Sequence, residues 1–118
     1  MRRSRPPLTP GVYRVADAAR TADDLRRSGW DVRQATAARS SAELYPALAT
    51  ALALPSWFGA NLDALWDSLA DLDRPTALVL TGWDGLAAAE PDGAGRFLEL
   101  FADRVREDPA FVVLLAAG

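Results

Sequence analysis

Apolar residues follow two rhythms along this 118-residue chain, and the switches between them outline its elements. Short uninterrupted apolar runs stand at 77–80 and at 111–115, the second entered through Asp108-Pro109. Runs without polar alternation belong to strands buried on both faces of a parallel sheet. A β-prone stretch at 12–15, after Pro10-Gly11, predicts an edge strand, and 30–35 predicts another strand. Helical spacing fills the intervals. Thr21 followed by Asp24 resembles a capping box, with Arg26 and Arg27 in the last turn and Gly29 as a stop, so a helix of about two turns is expected. Leu44, Leu48 and Leu52 fall at i, i+4, i+8 behind a cap at Ser40 or Ser41. Pro46 requires that helix to begin near Tyr45 or to bend there, and Pro55 ends it. Residues 92–107 predict a helix with Phe97, Phe101 and Val105 on one face. Strands alternating with helices imply an α/β domain, a small parallel sheet packed with helices.

The stretch LPSWFGANLDALWD, residues 54–67, carries the densest chemistry. Gly59 supplies a backbone able to turn after the aromatic pair Trp57-Phe58. Asn61 is a good N-cap, and Leu62, Leu65, Leu69 and Leu72 form the buried face of the helix it starts. Asp63, Asp67 and Asp71 fall at i, i+4, i+8 on another face, and Trp66 sits on the border between the two stripes. Asp63 can be a first-turn acid that suits the helix dipole. Asp67 and Asp71 lie nearer the negative end, like charges four apart cost roughly 0.2–0.5 kcal/mol per pair, and no basic residue stands between Arg39 and Arg74. Local disagreement of this kind marks places where function overrides stability. Trp57 and Phe58, being adjacent, cannot both point inward in most backbone geometries, so one of them is expected at the surface. Aromatic side chains beside carboxylates have the composition of a binding hot spot.

Composition narrows the chemistry further. The chain has no cysteine, no histidine and no lysine, and all 13 of its basic residues are arginine. Thiolate chemistry is excluded, and so are the commonest general base and metal ligand, which argues against an enzyme and against a metal or other cofactor. Residues 1–40 hold 9 Arg and 4 Asp, net +5, while 41–118 hold 4 Arg and 12 acids, net −8. The larger part of the chain thus offers an acidic face to a cationic partner. Only Arg2, Arg3 and Arg5 cluster, among Pro6, Pro7 and Pro10. Residues 1–10 are therefore expected as a flexible basic arm before one domain at 11–118, and direct nucleic-acid binding is not expected. No segment reaches the roughly 20 apolar residues of a membrane span, and no signal-peptide run follows the start, so the expected location is cytoplasmic.

The segment LALPSWFGANLDALWDSLADL, 52–72, resembles the inhibitor loop and following helix of the barstar family, the intracellular inhibitors of bacterial ribonucleases. The likeness extends loosely over about 40–118, through DGAGRFLELFADRVRE and FVVLL. It implies a three-stranded parallel sheet, to which 11–35 would add a strand and helix covering one sheet edge. It also implies that loop and helix plug the active site of a basic ribonuclease, of the secreted type or a toxin domain. By position, the family's aromatic contact falls on Trp57, where tyrosine is usual, and its loop glycine, capping asparagine and first helix acid on Gly59, Asn61 and Asp63. Its helix tryptophan falls on Trp66, and the acid that enters the enzyme's phosphate site on Asp67. Phe58 and Leu62, within the same segment, are further candidates for partner binding. A further acid on the later helix falls on Asp103, where the best-known member carries glutamate.

Two other readings fit the same residues. The face could serve an antitoxin or regulator whose basic partner is not a ribonuclease. Alternatively, the three aspartates could hold a hard cation, but they span about 12 Å at 1.5 Å per residue, too far for one ion.

Overall fold

A computed structural model describes residues 11–37, 39–55, 58–108 and 110–116. Four strands, β1 (Val12–Val15), β2 (Asp31–Thr36), β3 (Thr76–Thr81) and β4 (Phe111–Ala116), form one sheet in the order β1-β4-β3-β2. Every pairing is parallel, with Leu78 opposite both Arg33 and Val113. The helices are α1 (Ala18–Arg27), α2 (Ser41–Ala51), α3 (Leu62–Ala70), α4 (Trp83–Ala89) and α5 (Pro91–Glu107).

The two central strands explain the apolar runs. Alternate residues point to opposite faces of a strand, and both faces of β3 and β4 are covered. Leu78, Leu80, Val113 and Leu115 join the main core with residues of α2, α3, α4 and α5. Ala77, Val79, Val112 and Leu114 face a smaller cluster with Leu25 of α1. The expected three-stranded sheet with an added N-terminal strand is thus a four-stranded sheet. β1 lies along the outer edge of β4, and α1 covers the second face. Arg14 on β1 pairs with Asp84 on α4 at 2.5 Å.

Several boundaries differ from the sequence expectation, each for a local reason. α1 begins at Ala18, because the Asp17 side chain accepts from Arg20 N and caps the helix one turn before the Thr21–Asp24 pair. Asp24 instead pairs with Arg27. Gly29, at φ 94, does end the helix, with Trp30 N bonded to Leu25 O. α2 starts at Ser41 and runs through Pro46, so it does not begin near Tyr45. Ser40 caps the helix and fixes its start upstream: its Oγ accepts from Glu43 N and donates to the Glu43 carboxylate, a variant of the capping box in which the glutamate meets the hydroxyl instead of the cap's backbone N–H. Pro46 removes one bond to the Ala42 carbonyl, and both residues are solvent-exposed, so water can satisfy it. α3 stops at Ala70, which leaves Asp71 as its C-cap and Leu72 beyond the helix, still packed on the core. α4 has no counterpart among the expected helices.

A tertiary cap ties α2 to the α4–α5 junction. The Glu90 carboxylate accepts from Ser41 N at 3.0 Å and from Ser41 Oγ at 2.9 Å. A Cβ at Gly93 would fall on Ser41 Oγ, so glycine is what lets α5 approach α2 this closely. The bond from the Ser41 backbone N–H, then that from its hydroxyl, holds the Glu90 carboxyl below its usual 4.5, against a smaller opposing effect of burial. A carboxyl lowered on folding contributes stability above its unfolded pKa, and that contribution is lost as pH falls through the folded pKa. Denaturant midpoints measured from about pH 5 downward should therefore fall less steeply for Glu90→Gln than for the wild type. Parallel curves would show that the cap does not depend on the charge.

Candidate functional site

The site begins where α2 ends. Leu52 is the C-cap, Ala53 N bonds Thr50 O at 3.3 Å and Leu54 N bonds Ala49 O at 2.9 Å. This paired pattern is the Schellman ending, which places the next residue in the left-handed region. That residue is Ala53, the one non-glycine with positive φ (54°) among the described residues, and it is exposed. A Cβ there costs roughly 1–2 kcal/mol, partly offset by glycine's greater loss of entropy on folding. Ala53→Gly should thus stabilise the protein by about 0.5–1 kcal/mol in urea denaturation. A loss of stability would mean that the methyl makes contacts outweighing the strain.

Beyond Ala53 the chain crosses to α3. Leu54 packs on the core, and Phe58 N donates to Pro55 O at 3.0 Å. Trp57, expected to contact a partner, lies outside the described residues. Phe58 is partly buried against the main core, its ring 6.3 Å from that of Tyr45. Tyr45 in turn lies 5.1 Å from Phe97, itself 6.2 Å from Phe101, so four rings run from the interior to the loop. Burial lifts the Tyr45 hydroxyl above its usual 10.0, with the Arg96 charge pulling the other way. The chain turns tightly at Gly59, whose carbonyl accepts from Asn61 N at 2.6 Å, although Gly59 is not in a left-handed conformation. The room it leaves is used by the Asn61 amide, since a Cβ would sit 3.3 Å from Nδ2.

Asn61 caps α3 as its residue type demands, Oδ1 accepting from Ala64 N at 2.8 Å. The leucine stripe then faces inward: Leu65 and Leu69 are fully buried and Leu62 partly so. Asp63, Asp67 and Asp71 are all exposed. Among the described residues no salt bridge reaches any of the three, whereas Asp103, exposed on α5, is held by Arg106. Asp71, at the C-cap, sits at the negative end of the helix dipole.

Trp66 is half-buried against the main core, and the guanidinium of Arg104 lies over its ring, 4.4 Å from the centroid. That contact sets the turn of α5 carrying Asp103 beside α3. Sequence reading passed over Arg104, although its spacing of three from Phe101 and four from Leu100 put a charge on the buried stripe of α5. A groove of about 460 Å³ lies between loop and helix, with Leu54, Phe58 and Leu72 as apolar wall and Asp67 and Asp71 as acidic wall. Among the described residues, no three Asp or Glu side chains are grouped so as to hold a metal ion. No helix there is long and apolar enough to cross a membrane.

Fold and site together define a small α/β domain that displays an acidic helix face, without an ion pair among the described residues, beside partly buried aromatic side chains. A family model described as Barstar (barnase inhibitor) matches residues 32–116, most of the chain. The chain belongs to the barstar family. The match starts earlier than the segment recognised in the sequence and takes in nearly all of β2, so what precedes it is β1 and α1 rather than everything to residue 35. The family's description is that of an inhibitor, not of an enzyme.

Proposed function

We propose that this protein inhibits a basic ribonuclease of the barnase type by laying the loop at 54–61 and α3 over its active site. The observation that carries the reading is the exposed acid face of α3, which no salt bridge reaches among the described residues. Asp63, Asp67 and Asp71 make up that face, in a chain whose family is named for barnase inhibition. A ribonuclease cleft holds phosphate with cationic side chains, and Asp63 and Asp67 take the place of phosphates there. Trp57, Phe58 and Trp66 exclude water around them, while Gly59, Asn61 and Leu62 fix the path of the loop and the start of the helix. Asp103 adds an outlying contact, with Arg106 already paired to it. Opposite charge also speeds encounter. The site of action is the cytoplasm, where the producing cell needs protection from such an enzyme.

The test is ribonuclease activity titrated with this protein, using barnase first and then other guanyl-specific ribonucleases. Stoichiometric loss of activity for one of them is the expected result. Activity untouched throughout would transfer the acidic face to an antitoxin or regulator role against a different basic partner.

A further inference from the structure

The α3–α5 seam contains a charge that the fold does not need. Arg104 occupies a position on the apolar stripe of α5 and is only 8% exposed. Its Nε is buried with no hydrogen-bond partner among the described residues, and its one ion pair, to the exposed Glu107, is long at 3.8 Å. Burying an arginine with an unmet donor destabilises a domain, and an apolar side chain of similar length would fill the seam better. What the guanidinium does engage is the face of Trp66. A planar cation stacked on an indole away from water is among the stronger contacts of its kind, and it fixes the ring's orientation as a purely apolar neighbour would not.

We infer that Arg104 is a positioning residue for the partner-binding surface: from α5 it holds Trp66 of α3 in one orientation, next to Asp67, so that the surface is ordered before the partner arrives. This rests on the proposed inhibitor role. Such pre-organisation strengthens binding by removing an ordering cost, and related complexes differ mainly in off-rate. Charge alone predicts the reverse. Removing a cation from beside an acidic face should make a basic ribonuclease bind faster and more tightly.

Arg104→Met, which keeps the length and loses charge and planarity, separates the two. With barnase as probe, the expected result is an off-rate about tenfold higher with an association rate equal or greater. Arg104→Lys should recover part of the loss. In parallel, the free protein labelled with 5-fluorotryptophan gives four resonances, one per tryptophan, with Trp66 assigned by Trp66→Phe. Fluorine relaxation should show a more mobile Trp66 ring in Arg104→Met and the other three unchanged. An unchanged or slower off-rate overturns the inference, as does unchanged Trp66 relaxation. Should Arg104→Met fail to fold, Arg104→Lys carries the same comparison with a smaller expected effect. If the wild type binds no ribonuclease, the inhibitor reading falls, and the relaxation of Trp66 in the free protein still decides whether Arg104 holds it.

Discussion

Asp67→Ala is expected to weaken inhibition of barnase at least a hundredfold and to leave the protein no less stable than before. Losing one partner of a desolvated charge pair costs about 2–5 kcal/mol, a value whose reference case is barnase–barstar itself, so it is taken over rather than deduced. A hundredfold corresponds to about 2.7 kcal/mol, the lower part of that range. The stability half of the expectation comes from this structure. Asp67 is exposed, lies mid-helix, and has no ion pair among the described residues. Alanine is the better helix former there, and its introduction relieves repulsion from Asp63 and Asp71, each effect being worth a few tenths of a kcal/mol. Asp63 would be a less clean probe, because an acid in the first turn also stabilises the helix. Inhibition constants at low and high salt complete the test, since the contribution of exposed charges is screened over about 8–10 Å. A change under threefold removes Asp67 from the site. A large drop in stability would mean that the aspartate is structural.

The acid face of α3 could be read from the chain because its evidence is local. Asn61, the leucine spacing and the aspartate spacing each depend on residues within three turns, and the helix forms behind Asn61 as they require, though it ends at Ala70 with Asp71 as C-cap and Leu72 beyond it. The central strands were legible for a related reason: a parallel sheet covered on both faces leaves no room for polar alternation. α4 was not legible. Its N-cap is Gly82 in the left-handed region with no side-chain cap, and Gly85 lies within it, so propensity argues against a helix. Burial of Trp83 and Leu86 in the main core overrides that preference. The start of α1 was misplaced because Thr21 and Asp24 imitate a capping box, while the working cap, Asp17, has no acidic partner three residues on. Arg104 was missed because a basic residue on an apolar stripe looks like noise until the tryptophan it covers is known. That information belongs to the packing of α5 on α3, not to either helix alone.

The same division between local pattern and tertiary support sets the largest stability effect expected of a single substitution. Phe97→Ala should destabilise the protein by about 3–5 kcal/mol in denaturant titration, the cost of deleting a buried phenyl ring from a core that cannot close over the space. Phe97 is 1% exposed, and its ring lies between those of Phe101 and Tyr45. Few small domains have more than 5–15 kcal/mol in total, so this variant is a probe of stability rather than of binding. Phe97→Leu isolates the second role. An aliphatic side chain in that place costs about 1–1.5 kcal/mol, so the domain stays folded, yet the ring that Tyr45 leans on is gone. Tyr45 is what lies against Phe58 at the loop, and the loop leaves α2 from a strained residue, Ala53, whose conformation the surroundings must hold. Inhibition by Phe97→Leu should therefore weaken severalfold although the substitution lies in the interior and touches no acid of α3. Undiminished inhibition would mean that the Schellman ending and the Asn61 cap fix the loop by themselves. The row of rings would then contribute to the core alone.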